Sequence, residues 1–251
     1  MKKTKSKFLV PQCLSALAPS KKSAFTLAEV LITLAIIGVV AAMTIPTLIS
    51  DYQERVTVTK VKKAYSTLTN AYSMFLAENG EPPRFHYDEQ GAIDAAEVFK
   101  KYLKIAKDCG TSTSEGCLYS GQYMLKNDVL NEAIYSTDTS YYKLRLADGA
   151  SIWIRGAIDS ETAIGIAIAL FYDVNGEAPP NKWGHDLFHF KAYINRGLLP
   201  VGIIASDLFD DACAPADSKG YGCTAWVVQK GNLDYLKCPG ELTWKDRKCP
   251  N

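Results

Sequence analysis

Three groups of residues have types and spacings that could do chemistry. The first is one carboxylate, Glu29, inside an apolar run from Leu27 to Met43 that carries no other charge. A carboxylate at membrane depth is costly without a partner, so it marks a functional position by default. The second is Asp173-Val174-Asn175-Gly176, followed by Pro179-Pro180-Asn181 and Gly184-His185-Asp186. Oxygen-bearing side chains at alternate positions ahead of a glycine resemble the opening of a calcium loop, with Asp173, Asn175 and Asp186 as donors. Position twelve from Asp173 is Gly184, not the Glu that closes an EF-hand. A turn whose Asp side chains bond backbone amides fits the same residues. The third group is the cysteines Cys109, Cys117, Cys213, Cys223, Cys238 and Cys249. No two stand in a CxxC spacing, which argues against zinc and thioredoxin-like chemistry, and their even number argues for disulfides in an oxidising compartment. Six cysteines allow fifteen pairings; the short intervals favour 109–117, 213–223 and 238–249.

Enzyme signatures are missing: no GxSxG, HExxH, phosphate loop or GxGxxG is present. The only histidines are His86, His185 and His189. The last two are four apart, but their segment alternates like a strand, which separates them along one sheet face. The expectation is a protein that is not an enzyme.

The element that must position Glu29 begins at a sharp boundary. Residues 1–24 hold Lys2, Lys3, Lys5, Lys7, Lys21 and Lys22 and no acid. An ordinary secretory signal is cut after its apolar region, whereas here the basic residues run directly into Ala24-Phe25 with the apolar region beyond. A cut at that junction would leave the apolar helix on the mature protein. Residues 25–50 are long enough to span a bilayer, with the basic leader on the cytoplasmic side. An uncut single anchor is the plain alternative. Without the six leader lysines, 22 basic residues face 27 acidic ones, a balance of −5 that is no nucleic-acid footprint. Arg55, Lys60, Lys62 and Lys63 follow the apolar run as a solvated helix face or a lipid-headgroup contact.

This N-terminal pattern resembles the prepilin signature of type IV pilins and type II secretion pseudopilins. In that family a basic leader ends in a small residue, Phe is the first mature residue, and Glu follows four later; here these are Ala24, Phe25 and Glu29. The family usually has Gly where this chain has Ala24. Gly38 and Pro46 also match, and in pilins this segment can unwind locally in the filament, although a simple proline kink accounts for the same residues. The resemblance implies cleavage and N-methylation by a prepilin peptidase. It further implies an inner-membrane precursor with a cytoplasmic N-terminus, an inner-membrane assembly machinery, and a filament of identical or related pilin subunits. Glu29 would neutralise the Phe25 amine of a neighbouring subunit. Some pseudopilins bind calcium in a loop near this part of the sheet, which makes calcium the one cofactor to consider. The rival class is a membrane-anchored extracytoplasmic protein, adhesin-like or catalytic, that uses the helix only as a tether.

The rest of the chain, 51–251, is expected to form one head that includes the second half of the helix. Val61, Ala64/Tyr65, Leu68, Ala71/Tyr72 and Phe75 recur at helical spacing, and Asn79-Gly80 before Pro82-Pro83 stops the helix. A helix is predicted over 93–107 and irregular chain over the rest of 81–140. From Tyr141 the period becomes two: Tyr142, Leu144 and Leu146, the Asp148-Gly149 turn, Ile152 to Ile154, Ile164 to Tyr172, and a hairpin of Leu187–Ile194 with Leu198–Ile203. The fold class is therefore α+β: a long N-terminal helix, membrane-spanning in its first half, packed on an antiparallel sheet in the manner of pilins, with a disulfide-stapled C-terminal region. Trp226, Tyr235 and Trp244 lie in that region as its core or as a binding surface.

Overall fold

The computed structural model describes residues 26–157, 165–204, 208–245 and Cys249. Phe25 and the leader, residues 1–24 with Ala24 and Cys13, lie outside the described residues, as does Ile164 at the start of the predicted third strand. By contacts the chain divides at Leu48 into an N-terminal unit and a compact unit from Ile49 onward.

Helix α1 runs from Leu27 to Asn79. In the N-terminal unit its apolar side chains are bare: Leu27, Leu31, Leu34, Ile37 and Met43 are all more than half exposed. Beyond Ile49 the burial becomes one-sided, through Val58, Val61, Leu68, Ala71 and Tyr72, the stripe that periodicity requires of a helix laid on a core. The Gly80 amide closes the last turn on Leu76 at 2.9 Å, and Pro82-Pro83 prevents continuation.

Helix α2 spans Glu89–Lys100, capped by the Asp88 carboxylate, which accepts from the Gly91 amide at 2.7 Å. It begins four residues before the expected Ile93 and ends seven before the expected Lys107, because Ile105–Gly110 forms strand β1 instead. The apolar spacing of Tyr102 and Leu103 continues the helical period, but both pack on the core from the turn after α2.

Strands β2 (Tyr142–Leu146), β3 (Ser151–Gly156), β4 (Ile166–Asp173), β5 (Leu187–Tyr193) and β6 (Gly197–Pro200) complete one six-stranded sheet. Its order is β1-β2-β3-β4-β5-β6, with every neighbouring pair antiparallel. The inner face, with Leu144, Ile152, Ile154, Ile168, Leu170 and Phe190, packs on the stripes of α1 and α2. The outer face is buried too: Trp153, Ala169, Phe171 and Leu187 lie under Tyr123, Tyr135, Tyr141 and Trp183. The irregular stretch 111–141 is thus the outer cover of the sheet. Burial on both faces explains why β4 is apolar from Ile166 to Tyr172.

Two glycines record a close approach of backbones. The His86 carbonyl fits between α2 and β3, and a Cβ on either Gly91 or Gly156 would stand 2.0 Å from its oxygen. At Gly156 a Cβ would also meet the Phe85 oxygen at 2.7 Å.

After β6 come α3 (Phe209–Ala212), α4 (Cys223–Lys230) and a 3-10 turn at Asp234–Leu236. Phe209 stacks on Trp226 with ring centroids 4.3 Å apart, and Trp226 and Tyr235 are fully buried, so these are core; Trp244 is half-buried and packs against them. Glu54 of α1 ties the region down: its carboxylate accepts from the Leu233 amide at 2.8 Å and pairs with Lys237 at 2.8 Å. Disulfides join Cys109 to Cys117, Cys213 to Cys223 and Cys238 to Cys249. Three of the four basic residues after the apolar run also reach the head: Lys60 donates to the Val174 carbonyl at 2.9 Å, Lys63 pairs with Asp148 at 3.3 Å, and the Lys62 ammonium lies against Gly231.

Candidate functional site

Two places carry the candidate chemistry. In the first, Glu29 occupies the third position of α1 and Thr26 caps it. Glu29 Oε2 accepts from the Thr26 amide and from the Thr26 hydroxyl, both at 2.8 Å, while the Glu29 amide donates back to the Thr26 hydroxyl at 3.2 Å. This is a reciprocal capping box, satisfying donors at the helix start that have no partner within the helix. The isolated chain therefore already supplies hydrogen bonds to this carboxylate, with no opposite charge paired to it among the described residues. The Thr26-x-x-Glu29 spacing carries this capping box in the sequence itself.

The remaining polar groups of this unit turn inward on their own helix. The hydroxyls of Thr33, Thr44 and Thr47 donate to the carbonyls of Val30, Val40 and Thr44. Pro46 stands inside the helix with no N–H to give, and nothing lies within 4 Å of where a Gly38 Cβ would be. The best 18-residue window of α1 has a mean hydropathy of 2.3 with none of it buried, so the helix is long and apolar enough to cross a membrane.

The second place is the turn after β4. Asp173, fully buried, ends β4; its Oδ1 accepts from the amides of Asn175 (3.2 Å) and Gly176 (3.0 Å), with Gly176 at φ +69°. Asp186 holds the other end of the loop, Oδ1 accepting from the Lys182 amide at 2.7 Å and Oδ2 from the Asn181 amide at 2.9 Å. Asn175 donates to the Pro179 carbonyl at 3.0 Å, and the Val174 amide to the Asp186 carbonyl at 2.9 Å. Three of the four carboxylate oxygens thus serve backbone amides, as the turn reading expects. Around this turn three buried oxygens make no hydrogen bond of ordinary geometry: Asp173 Oδ2, Asn175 Oδ1 and the Tyr123 hydroxyl.

Tyr123 was not legible as part of this site, because it comes from the outer cover fifty residues earlier. Electrostatics place it there. Burial raises its hydroxyl, and the Asp173 charge is the next cause. Burial pushes Asp186 up to about 6, against an ordinary 3.8. Asp173 is raised well above the carboxylate range, first by burial and then by the Asp186 charge. No group of three or more His, Cys, Asp and Glu suited to a metal occurs among the described residues. A cation here would depend on two carboxylates, an amide oxygen and backbone. The histidines do not join it as a pair: His185 lies in the turn, while His189 in β5 stacks on Phe171 at 4.4 Å and donates its amide to the Thr224 hydroxyl.

Residues 19–45 match the family model described as the prokaryotic N-terminal methylation motif. No curated protein and no solved structure matches the chain.

Proposed function

We propose that this chain, whose methylation motif and long apolar helix fit the type IV pilin-like family, is a structural subunit of a helical filament of the type IV pilus or type II secretion pseudopilus kind. The observation that carries the reading is the motif over residues 19–45 laid on a helix whose first half is apolar and unburied. A soluble domain does not leave such a surface bare; a membrane covers it first and neighbouring helices afterwards. In this reading the precursor sits in the inner membrane with residues 1–24 in the cytoplasm. A prepilin peptidase cuts between Ala24 and Phe25 and methylates the new amine, and an assembly machinery draws residues 25–50 into the filament bundle. The head, from residue 51, faces outward.

Edman sequencing and intact mass of the membrane-extracted protein test this together. The expected N-terminus is N-methyl-Phe25, with a mass lacking residues 1–24 and six hydrogens short for three disulfides. A protein beginning at Met1, or beyond Met43, overturns the filament reading in favour of a tether or a cleaved signal.

A second reading concerns the head. The unpartnered Asp173 Oδ2 and Asn175 Oδ1, beside Asp186, favour calcium held by Asp173, Asn175 and Asp186. Hard oxygen donors suit that ion, and its charge would relieve the repulsion within the acid pair. Because Asp173 Oδ1 also secures two backbone amides, Asp173→Ala would destabilise the loop with or without the ion. Asp173→Asn is the discriminating change. Calcium at a hundred times its dissociation constant adds about 2.7 kcal/mol to the folded state, or roughly 5–10 °C in Tm for a head of this size. That increment should be present in the wild type and absent in Asp173→Asn. A wild-type melting curve indifferent to calcium removes the reading.

A further inference from the structure

Two surfaces of the head lie on opposite sides of the sheet and complement each other. The first is a cavity of about 370 Å³ between α1 and the inner face of the sheet. Leu68 of α1, Leu103 from the turn after α2, Leu146 of β2, Ile152 of β3 and Tyr172 of β4 line it. It is more than twice the roughly 150 Å³ that holds a benzene ring in a protein core, so two aliphatic side chains fit. Its mouth is basic. Lys63 pairs with Asp148 at 3.3 Å, the Lys60 ammonium stands 3.5 Å from the Asp148 carbonyl, and Lys104 lies on the same wall. Three cationic side chains thus surround one carboxylate.

The second surface is the tip of an arm, 123–134, that leaves the outer cover. Tyr123 and Leu125 fix its root in the outer core. The Met124 amide donates to the Asn181 carbonyl at 2.9 Å, and the Trp183 amide to the Met124 carbonyl at 2.9 Å. The chain then reverses: the Leu125 amide donates to the Val129 carbonyl at 2.7 Å, with Asp128 in the left-handed region at φ +64°. Asn127 donates to the Asp217 carbonyl at 2.8 Å, and Asp128 pairs with Lys182 at 2.6 Å. This well-held turn presents Val129, Leu130 and Ile134 to solvent, each at least half exposed. A cluster of bare apolar side chains on a fixed turn marks a contact surface, and its fixed shape lowers the entropy cost of making the contact. The segment 127–134 carries Asp128 and Glu132 and no cation of its own, and Lys182 answers only the first.

We propose that the arm tip of one copy docks in the α1 cavity of the next, with Val129 and Leu130 entering it and Glu132 facing the basic mouth. A second copy is selected because both halves of the contact are on this chain and match in apolar character, size and charge. Their placement fixes the symmetry. The cavity belongs to the inner layer and the arm to the outer one, so the tip stands away from its own cavity, and two copies cannot exchange tips face to face. Each contact leaves one tip and one cavity free for further copies. Such a head-to-tail contact, repeated, makes an open helical array. The inference rests on the filament reading and gives it a contact between heads. Apolar burial supplies the attraction, while the charges steer the approach and fix the register.

Photo-crosslinking of the full chain in cells tests the docking. p-Benzoylphenylalanine replaces Val129 at the tip and, as a separate probe of the helix bundle, Ile37 in the apolar half of α1. From the tip probe the expected product is a dimer of this chain whose linked peptide contains residues 63–68, 102–104 or 146–148. Leu130→Asp beside the tip probe should lower that yield about tenfold or more, the factor that burying a leucine side chain is worth. It should leave Tm unchanged, because Leu130 is exposed in the lone head. A tip probe that links elsewhere on the chain, only to another protein, or to nothing overturns the docking, as does a yield indifferent to Leu130→Asp. Dimers through Ile37 without tip-to-cavity dimers leave the filament reading standing and remove the docking. Tip-to-cavity dimers without dimers through Ile37 keep the docking and remove the filament reading.

Discussion

Glu29→Val should leave the protein in the membrane and take it out of filaments. Removing a carboxylate from an apolar helix favours insertion, so precursor levels in the membrane fraction should equal or exceed wild type. In the proposed filament, what would disappear is the attraction to the Phe25 amine of a neighbouring subunit, which would compensate for bringing two charges into a dry bundle. Immunoblots of sheared filaments against membranes read the effect, expected as near-complete loss from the sheared fraction. The capping box adds a control, because Glu29→Val also breaks the bonds to Thr26. Thr26→Ala removes the cap, at about 0.5–2 kcal/mol of local helix stability, and leaves the carboxylate in place. Assembly should survive Thr26→Ala. Equal failure of both variants would assign Glu29 to shaping the helix start, and normal assembly of Glu29→Val would remove its role altogether.

Gly156→Ala should be among the most destabilising single changes in the head. A methyl group 2.0 Å from the His86 oxygen and 2.7 Å from the Phe85 oxygen has no flexible neighbour to displace, since both obstacles are backbone. The segment 85–86 would have to leave its seat against β3, or β3 to bend away from β4. Overpacking of this kind costs about 1–3 kcal/mol and more when backbone must move. At roughly 2–4 °C per kcal/mol, Tm should fall by about 5–10 °C. Gly149→Ala serves as a comparison, because nothing lies within 4 Å of its Cβ position and any loss there reflects turn conformation alone. A Gly156→Ala melt within 1–2 °C of wild type, roughly the effect of an ordinary surface change, would show that 85–86 is not seated as described.

The parts of this molecule that were legible in its sequence are those written in local periodicity. The apolar run, the stripe from Val61 to Phe75 and the alternation from Tyr142 onward follow from side chains that face one environment each. Strand β1 was hidden because Ile105 continues the spacing of α2, and only pairing with Leu146 across a long interval makes it a strand. The cover of the outer face was hidden for a related reason: Tyr123, Tyr135 and Tyr141 have no regular spacing, and their burial depends on a sheet that forms later in the chain. Asp173, Asn175 and Asp186 lie within one short loop and could be grouped by eye, whereas Tyr123 joins them only through the fold. Helix α4 was concealed by the disulfide framing of the tail, which directs attention to loops.

The sequential order of the strands has a kinetic consequence. Each strand from β3 to β6 pairs with the one made just before it, so β2 to β6 can grow by successive hairpins, whereas β1 joins only when the 111–141 stretch closes. Chains whose contacts are local in sequence fold faster than those that must bring distant segments together. A head that leaves the membrane N-terminus first can extend its sheet strand by strand as it emerges. In the proposed orientation the slow, late event is then the docking of the Cys213–Cys249 region onto Glu54, the contact that spans nearly the whole head and would form only once the last residues have crossed.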